Sequence, residues 1–575
     1  MASESRHEMN SYFKQGEFQK AFMASDPSIN HEAARRRSVP GTGRWLLEHK
    51  SYLNWKLGTT TLLWLHGIAG SGKTVLCSTA IEDIMNLCTN DEKKGVVYFY
   101  FDFNDAAKRS TENMLRSLVA QAFGQAEHMV PVDDGKKHQL SKESLLDLLI
   151  NAISQFEDAF IIVEALDECE DVSTLWDIVR HFDSKYSVPA RFLLTSRRTT
   201  ELESEFETIS EVGEISVQDP LAYNDIRLYV EHRLQNDRKL STWKNQPKIQ
   251  QEITETITSQ ANGMFRWAEC QIDSLHTCLN IPMLRKMLSS LPKTLDDTYR
   301  QALWQIPEEH VGFATKFLQW ILYSLRPLYV DELAEVVMVD TTSETPLDPD
   351  RRFLDPQDVL TTLPSLLVTT NNMHQVKLAH FSVKEYLTSD NCQWSPLIAT
   401  KAQAHATIAE DCLVYLQQFN RPYPEMAETV ASSPLLRYAA NYWPAHVKAA
   451  GHNPGLIAKV MKLFNTKTVF LNWASFLDGY RPFEEDEYDS SEGLVVPSRL
   501  YYASSFGLPS IVKNLVANGA DVNEVCGPTG SALAAACAGG HIEIVEFLIE
   551  MGANPEIQGE LGAPLTLAKS MVMMK

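Results

Sequence analysis

Residues Gly67 to Thr74 have the sequence pattern of a phosphate-binding loop. They read Gly-Ile-Ala-Gly-Ser-Gly-Lys-Thr and follow the apolar run 61–65, so a short buried strand leads directly into a glycine-rich turn. Glycine lets the backbone approach a phosphate closely, and the N–H groups of the turn and the following helix point at it. In this pattern Lys73 reaches the β- and γ-phosphates, and the hydroxyl of Thr74 binds Mg²⁺. The predicted nucleotide ligands in the loop are Gly67, Ile68, Ala69, Gly70, Ser71, Gly72, Lys73 and Thr74.

A cluster of carboxylates follows a second apolar strand. A phosphate-binding loop turns over nucleotide only with an acidic element that holds Mg²⁺ and positions water. The candidate begins after the apolar stretch 159–163, where Glu164, Asp167 and Glu168 follow one another closely. Ligands of open parallel sheets bind at the carboxyl ends of the strands, so we expect this cluster beside the loop.

Arg197 comes directly after a third apolar strand, 192–196. The same rule places it at the same edge of the sheet. A cation there could stabilise the terminal phosphate of a nucleotide held by the loop. We therefore predict that Arg197 senses the γ-phosphate; the alternative is an ordinary surface arginine.

Strand-like and helix-like segments alternate over the first part of the chain. Near-continuous apolar strands that alternate with amphipathic helices predict a parallel sheet covered on both faces. This is the α/β setting that a phosphate-binding loop requires. The predicted strands are 61–66, 96–103, 159–164, 192–196 and 211–217, and the predicted helices are 74–88, 110–123 and 141–156.

From about residue 220 to 480 the pattern is mostly helical. Within this region, 365–370 and 375–379 flank an Asn-Asn pair and predict a β-hairpin. Helices around a small hairpin indicate a winged helix, a fold that often binds DNA. A net charge of −22 disfavours a surface that neutralises phosphate backbones. We therefore expect a structural winged helix and no nucleic-acid partner.

The chain repeats itself near its end with a period of 33 residues. This period, with paired helices and a Gly-Ala-Asp/Asn turn, is the ankyrin pattern. A third unit opens at Gly562, so the array is expected either to dock on its neighbouring domain or to continue in a longer chain. The recurring residues are Leu515, Gly519, Ala520 and Asp521, which return as Leu548, Gly552, Ala553 and Asn554.

Composition disfavours several other classes of protein. The nine cysteines form no C-x-x-C pair and no cluster with zinc spacing. No signal peptide and no apolar run of bilayer length occurs, so we expect a soluble cytoplasmic protein without a membrane span. The one basic run, 35–37, is interpreted as a solvated helix face.

Several motifs together resemble one family. They resemble the NACHT-type STAND NTPases, and specifically the fungal NACHT–ankyrin proteins related to vegetative-incompatibility factors. The resemblance covers most of the chain. In the sequence, 41–47 with 62–67 looks like the family's lead into the loop, 164–169 like its Walker B element and 194–197 like its sensor 1, while 262–267, 291–299 and 380–387 are similar to its later segments.

The resemblance implies a multidomain α/β and all-α architecture. It joins a P-loop NTPase sheet to a helical lid, a winged helix and a C-terminal ankyrin solenoid. The expected parts are a short extension (1–40), the NACHT domain (41–217), the lid (218–300), the winged helix (301–390), a helical domain (391–480), an acidic linker (481–497) and ankyrin repeats (498–575).

The resemblance also implies how the nucleotide is held. In this family the resting form holds ADP, and a winged-helix histidine touches the β-phosphate; here that role falls on His380. The family usually has Asp where this chain has Glu164, which puts the hydrolysis rate in doubt more than nucleotide binding. Many relatives carry an N-terminal effector domain, for which the extension 1–40 is expected to leave no room.

These observations favour a slow nucleotide-hydrolysing switch in signal transduction that binds ATP or ADP (GTP is possible) with Mg²⁺. Glu164 and Thr74 would hold Mg²⁺, Lys73 would neutralise developing charge, and Asp167 or Glu168 would act as the general base. Exchange of ADP for ATP would allow homo-oligomerisation, and the ankyrin units would bind other proteins. The alternative is an ankyrin scaffold with a structural nucleotide that is never hydrolysed; a metabolic P-loop kinase is less favoured.

Overall fold

A computed structural model of the chain forms two compact units. Unit 1 comprises residues 1–301 and 380–391, and unit 2 comprises residues 302–379 and 392–575. Most of the acidic linker and most of the third ankyrin unit lie outside the described residues. The structure describes residues 22, 24–125, 141–184, 190–209, 212–218, 220–341, 343–364, 367–370, 374–394, 400–421, 426–478, 497–557, 559 and 564.

Unit 1 is built on a five-stranded parallel sheet with the order β2-β3-β4-β1-β5. All five predicted strands are present, and the α/β fold is confirmed. The one notable difference lies in β2, which ends at Tyr100 rather than Phe103, because the Phe103 N–H donates to the Glu168 carboxylate instead of to a neighbouring strand. The strands are β1 (Leu62–His66), β2 (Lys94–Tyr100), β3 (Asp158–Glu164), β4 (Ala190–Ser196) and β5 (Val212–Ser216).

The sheet is buried on both faces, which explains why its strands are almost continuously apolar. Alternate side chains of one strand enter different cores. In β1, Leu63 and Leu65 belong to a core that includes Trp55, whereas Trp64 belongs to the opposite core and stacks on Phe206 at 4.1 Å between ring centroids. The sheet is therefore held rigidly from both sides, and so are the positions of its strand ends.

The helices of unit 1 cover these faces and continue into a helical segment. The three predicted helices 74–88, 110–123 and 141–156 correspond to α4, α5 and α6. The helices are α1 (Ser28–Arg37), α2 (Arg44–Glu48), α3 (Lys50–Leu57), α4 (Lys73–Thr89), α5 (Thr111–Gln125), α6 (Lys142–Ile153), α7 (Val172–Ser184), α8 (Thr200–Phe206), α9 (Pro220–Asn236), α10 (Pro247–Gln260), α11 (Phe265–Ser274), α12 (Ile281–Ser289) and α13 (Leu295–Trp304, whose last turn enters unit 2).

Unit 2 contains the predicted hairpin. Strands β7 (Val368–Thr370) and β8 (Gln375–Leu378) pair antiparallel, and β6 (Leu328–Tyr329) joins the other side of β8. The tip of the hairpin lies outside the described residues. The helices around it are α14 (Val311–Tyr323), α15 (Val330–Glu335) and α16 (Asp358–Thr362); the chain then contributes α17 (Phe381–Thr388) to unit 1.

The rest of unit 2 is helical and ends in the repeats. Helices α23 and α24 recur as α25 and α26 with a shift of 33 residues, as the ankyrin pattern predicts. No helix among the described residues is long and apolar enough to cross a bilayer. The helices are α18 (Lys401–Leu416), α19 (Met426–Ser432), α20 (Leu436–Ala450), α21 (Pro454–Asn465), α22 (Lys467–Asp478), α23 (Arg499–Ser505), α24 (Pro509–Ala517), α25 (Ala532–Ala538) and α26 (Ile542–Glu550).

Two buried histidines join α18 to α20. The Nδ1 atoms of His405 and His446 lie 2.8 Å apart, and Nε2 of His446 lies 2.9 Å from the Tyr438 hydroxyl. Such a pair forms a hydrogen bond only when one ring donates and the other accepts. Burial, reinforced by the neighbouring His405, lowers the pKa of His446 to about 3.

This pair makes the stability of unit 2 sensitive to acid. The unfolded chain takes up a proton on His446 near pH 6.5, whereas the folded chain does not, so stability present above pH 6.5 is lost as the pH falls. We predict a loss of about 2 kcal/mol from this residue between pH 6.5 and pH 5. Thermal unfolding measured from pH 7.5 to 5 should show a shallower decline for His446→Gln. The exposed control His452→Gln should keep the wild-type slope; equal slopes for all three proteins would disprove this assignment.

Candidate nucleotide-binding site

The loop Gly67–Thr74 joins β1 to α4 in the conformation that its glycines permit. Gly70 and Gly72 have positive φ angles of 73° and 91°. Lys73 is the first residue of α4, and its Nζ donates hydrogen bonds to the carbonyls of Gly67 and Ile68 at 2.9 and 3.0 Å. The ammonium group therefore lies over the loop that is predicted to cradle phosphate.

The carboxylate of Glu164 lies beside the loop at the end of β3. The Thr74 hydroxyl donates to Glu164 Oε1 at 2.7 Å. Burial outweighs this bond and the nearby Lys73, and raises the pKa of Glu164 to about 7. A hydroxyl and a carboxylate supply the oxygen ligands that Mg²⁺ prefers, so the pair fits the predicted metal site. Residue Ala165 follows with φ 59°, and its N–H donates to Thr195 Oγ1 of β4 at 3.1 Å, which fixes the turn.

The other two carboxylates of the turn have different partners. Asp167 accepts hydrogen bonds from the backbone N–H and Nε of Arg197 at 3.0 and 2.8 Å. Glu168 instead accepts the Phe103 N–H at 2.9 Å. Burial, together with the charge of Glu164, raises the pKa of Glu168 well above its usual range. The structure therefore distinguishes two residues that the sequence left equivalent.

Arg197 also contacts α17. Its Nη1 donates to Glu385 Oε1 at 2.6 Å, and its guanidinium lies 4.5 Å from the centroid of the Phe381 ring. The side chain is 22% exposed and bridges Asp167 to Glu385. Helix α17 is thus tied to the carboxyl edge of the sheet. The contact of Arg197 with a γ-phosphate stays a prediction.

His380 is the residue before α17 and is held in one orientation. Its Nδ1 accepts the Ser382 N–H at 3.1 Å, so the neutral ring carries its proton on Nε2. Burial and the nearby Arg266, Arg37 and other cations lower its pKa to about 3. A neutral imidazole with a proton on Nε2 is a hydrogen-bond donor suited to a phosphate oxygen.

These groups surround one cavity of about 370 Å³ in unit 1. Gly67 and Ile68 do not line it, and act instead through the carbonyls that hold Lys73. The predicted residues that line the cavity are Ala69, Gly70, Ser71, Gly72, Lys73, Thr74, Glu164, Asp167, Glu168, Arg197 and His380. The structure thus brings the predicted site residues together from β1, β3, β4 and the segment before α17.

Three segments of the chain match known protein families. The nephrocystin 3 N-terminal family matches residues 41–197, the winged-helix domain of GPI inositol-deacylase matches 309–397, and ankyrin repeats match 500–570. The azaphilone pigments biosynthesis cluster protein L of Monascus ruber is 31% identical over 319 residues, and vegetative incompatibility protein HET-E-1 of Podospora anserina is 25% identical over 338 residues. The chain belongs to the fungal NACHT–ankyrin proteins.

The NACHT–ankyrin relatives are longer than the matched regions. The match covers 50% of this chain and 66% of the Monascus protein, and 55% of this chain and 24% of the Podospora protein. Among solved structures, a Walker-type ATPase of Pyrococcus abyssi matches with TM-score 0.31 and 11% identity over 59% of this chain and 95% of its own. The Aeropyrum pernix ORC1 protein matches with TM-score 0.30 and 12% identity over 61% and 93%. TM-scores this low carry no weight in assigning the fold.

Several residues at the NACHT cavity are not evident from the sequence motifs. Arg36 and Arg37 are exposed, as expected of a solvated helix face, but both also line the cavity. Asp225 of α9 accepts hydrogen bonds from the Gly43 N–H and from Trp45 Nε1 at 2.7 and 3.0 Å, which fixes the chain before the loop. Of these residues, the two arginines were marked in the sequence by the basic run 35–37, whereas no motif marked Asp225.

We predict that Gly70→Ala destabilises this NACHT unit more than Gly263→Ala. Both glycines have positive φ, which costs about 1–2 kcal/mol for an alanine. A Cβ on Gly70 would also lie 2.7 Å from the Arg266 Cβ, whereas one on Gly263 meets nothing within 4 Å. Denaturant unfolding of both variants measures the difference. Equal losses of stability would show that α11 is not held tightly against the loop.

Proposed function

We propose that this NACHT–ankyrin chain is a nucleotide-operated switch, in which a nucleotide at the loop determines whether α17 stays bound to the sheet edge. This proposal depends most on one observation, that the loop, the acidic turn, Arg197 and His380 line one cavity. A switch requires that the nucleotide contact its two states differently. His380 and Glu385 would provide this difference. Both belong to the segment 380–391, which carries α17, and they meet the site through the cavity lining and through Arg197.

Nucleotide binding would rest on the loop. Lys73 would exchange its two carbonyl partners for phosphate oxygens. Its ammonium group attracts the charged phosphate oxygens more strongly than it attracts neutral carbonyls. Thr74 and Glu164 would hold Mg²⁺, which neutralises phosphate charge when bound. The nucleotide is proposed as ATP or ADP. GTP would make the same phosphate contacts, because these do not distinguish the nucleobases.

For hydrolysis, the contacts favour Glu168 as the general base. Both oxygens of Asp167 are engaged by Arg197, whereas Glu168 has the backbone N–H of Phe103 as its partner. A raised pKa, as burial gives Glu168, brings a carboxylate closer to the range in which general bases work at neutral pH. Asp167 would then position Arg197 for the γ-phosphate.

The ADP-bound form would be the closed one. His380 would donate from Nε2 to the β-phosphate, while Arg197 keeps its bond to Glu385. A γ-phosphate would attract Arg197 away from Glu385 and so weaken the hold on α17. Release of α17 would allow homo-oligomerisation, and the ankyrin repeats would contact protein partners.

A scaffold with a structural nucleotide is the second candidate. It is favoured by Glu164, which stands where the family usually has Asp and accepts the Thr74 hydroxyl at 2.7 Å, so that its longer side chain would place the carboxylate differently against Mg²⁺. In that case the same cavity would bind nucleotide and not hydrolyse it.

We predict that Lys73→Ala weakens nucleotide binding at least tenfold, because a charged hydrogen bond to phosphate is worth about 1.5–3 kcal/mol. Calorimetric titration with ADP and with GDP measures the loss of affinity and shows which nucleobase the site prefers. The exposed Lys286→Ala on α12 is the control and should bind as the wild type does. If Lys73→Ala binds ADP and GDP like the wild type, the loop is not the nucleotide site.

We predict that Glu168→Gln lowers phosphate release at least a hundredfold while the Kd for nucleotide changes little, since a general base contributes about 10²–10⁴. Asp167→Asn should slow release less, because it acts through Arg197. The exposed neighbour Glu170→Gln serves as the control. Wild-type protein that carries ADP and releases no phosphate would favour the scaffold.

A further inference from the structure

We propose that Arg266 is a further phosphate-binding cation beside Lys73 and Arg197, supplied by α11, and that it acts together with His380 on the diphosphate group of the nucleotide. This inference rests on the proposed function and adds a phosphate-binding residue that neither the motifs nor the comparisons assign. It concerns the helical segment rather than the loop or the acidic turn.

The first observation is the close contact between the loop and the start of α11. The Arg266 N–H donates to the Gly70 carbonyl at 3.1 Å. Gly70 has no side chain, and a Cβ there would lie 2.7 Å from the Arg266 Cβ; a Cβ on Gly72 would lie 3.3 Å from the Phe265 ring. Two glycines of the loop therefore allow α11 to approach the residues that would hold phosphate.

The second observation is the position of the guanidinium group. Arg266 is 8% exposed and lines the same cavity as Lys73 and His380. Its Nη1 donates to Glu269 Oε2 at 2.6 Å, which offsets the cost of burying the charge. Among the charged groups that lower the pKa of His380, Arg266 acts most strongly. Several cations thus lie near the His380 ring, as an anion site requires.

The third observation links Arg266 to His380 through buried hydroxyl groups. Tyr299 of α13 lies close enough to Arg266 for each group to shift the pKa of the other, and its hydroxyl lies 2.8 Å from Ser382 Oγ. Ser382 Oγ lies 2.8 Å from His380 Nδ1. Arg266, Tyr299, Ser382 and His380 therefore form one chain of contacts within unit 1.

Together these contacts describe a site for two adjacent phosphates. A guanidinium offers a planar fork that binds phosphate oxygens in pairs, and His380 offers a single N–H from the other end of the chain. Loss of either donor should move the other, because Tyr299 and Ser382 hold both. A purely structural Arg266 would instead contact only protein groups such as Glu269.

The test compares diphosphates with monophosphates. The wild type should bind ADP or GDP more tightly than AMP or GMP in calorimetric titrations, and Arg266→Gln should reduce this preference at least tenfold. A structural defect would weaken both kinds of nucleotide alike and leave the preference unchanged. Arg285→Gln, an exposed arginine on α12 that pairs with Glu252, is the matched control.

If Arg266→Gln does not fold, Arg266→Lys decides, since it keeps the charge and loses the fork. It should lose part of the preference, about threefold. An unchanged preference in the folded variants overturns the proposal, whereas a reduced one supports it. Loss of binding in Lys73→Ala with an unchanged preference in Arg266→Gln overturns only this inference; a wild type that binds neither ADP nor GDP overturns the proposed function as well.

The link to His380 has its own readout. In Arg266→Gln/His380→Ala, the loss of affinity for the diphosphate should be smaller than the product of the two single losses, because each change already disturbs the other donor. A combined loss equal to that product overturns the coupling through Tyr299 and Ser382.

Discussion

Charged side chains of both signs lie together, partly or fully buried, at the carboxyl edge of the unit 1 sheet, and their mutual pairing constrains the groups around them. Removing a carboxylate or a cation from water is costly unless it gains a partner and hydrogen bonds. Here Asp167 pairs with Arg197, Glu164 with the Thr74 hydroxyl, and Lys73 with loop carbonyls. The groups that pair with one another here are the ones that we propose would contact the phosphates and Mg²⁺.

The strand order explains how these groups meet. Strands β3, β4 and β1 are neighbours, so the residues after them reach one edge although they lie far apart in sequence. The same edge binds α17 through the Arg197–Glu385 ion pair and the Phe381 ring. A nucleotide that engages Arg197 or His380 therefore acts directly on the attachment of α17. A partly exposed ion pair of this kind contributes about 1 kcal/mol or less, so little free energy opposes the exchange of Glu385 for a phosphate on Arg197.

Local patterns explain why much of this could be predicted from the sequence. The five strands, the loop, the hairpin and the repeats each follow from periodicity or from turn residues within a short window. His380 was predicted only through the resemblance to a family. The early end of β2 at Tyr100 was missed, because the Phe103 N–H binds a carboxylate that is 65 residues away in the sequence.

The contacts that close the cavity could not be predicted from the sequence. Arg197 meets Glu385 across 188 residues, and Gly43 meets Asp225 across 182. Arg266 belongs to a motif whose segment was recognised, yet only the fold brings it against Gly70. Pairings of this range depend on tertiary structure, which a single sequence without long-range information does not specify.

The central claim is that a nucleoside diphosphate at the loop strengthens the attachment of α17 to the sheet edge. Hydrogen–deuterium exchange of the Phe381–Thr388 amides in the full chain, with and without ADP or GDP, tests it most directly. The account predicts slower exchange of these amides when the bound diphosphate is present, and no change in Lys73→Ala. Exchange that stays the same in wild-type protein saturated with nucleotide would contradict the account.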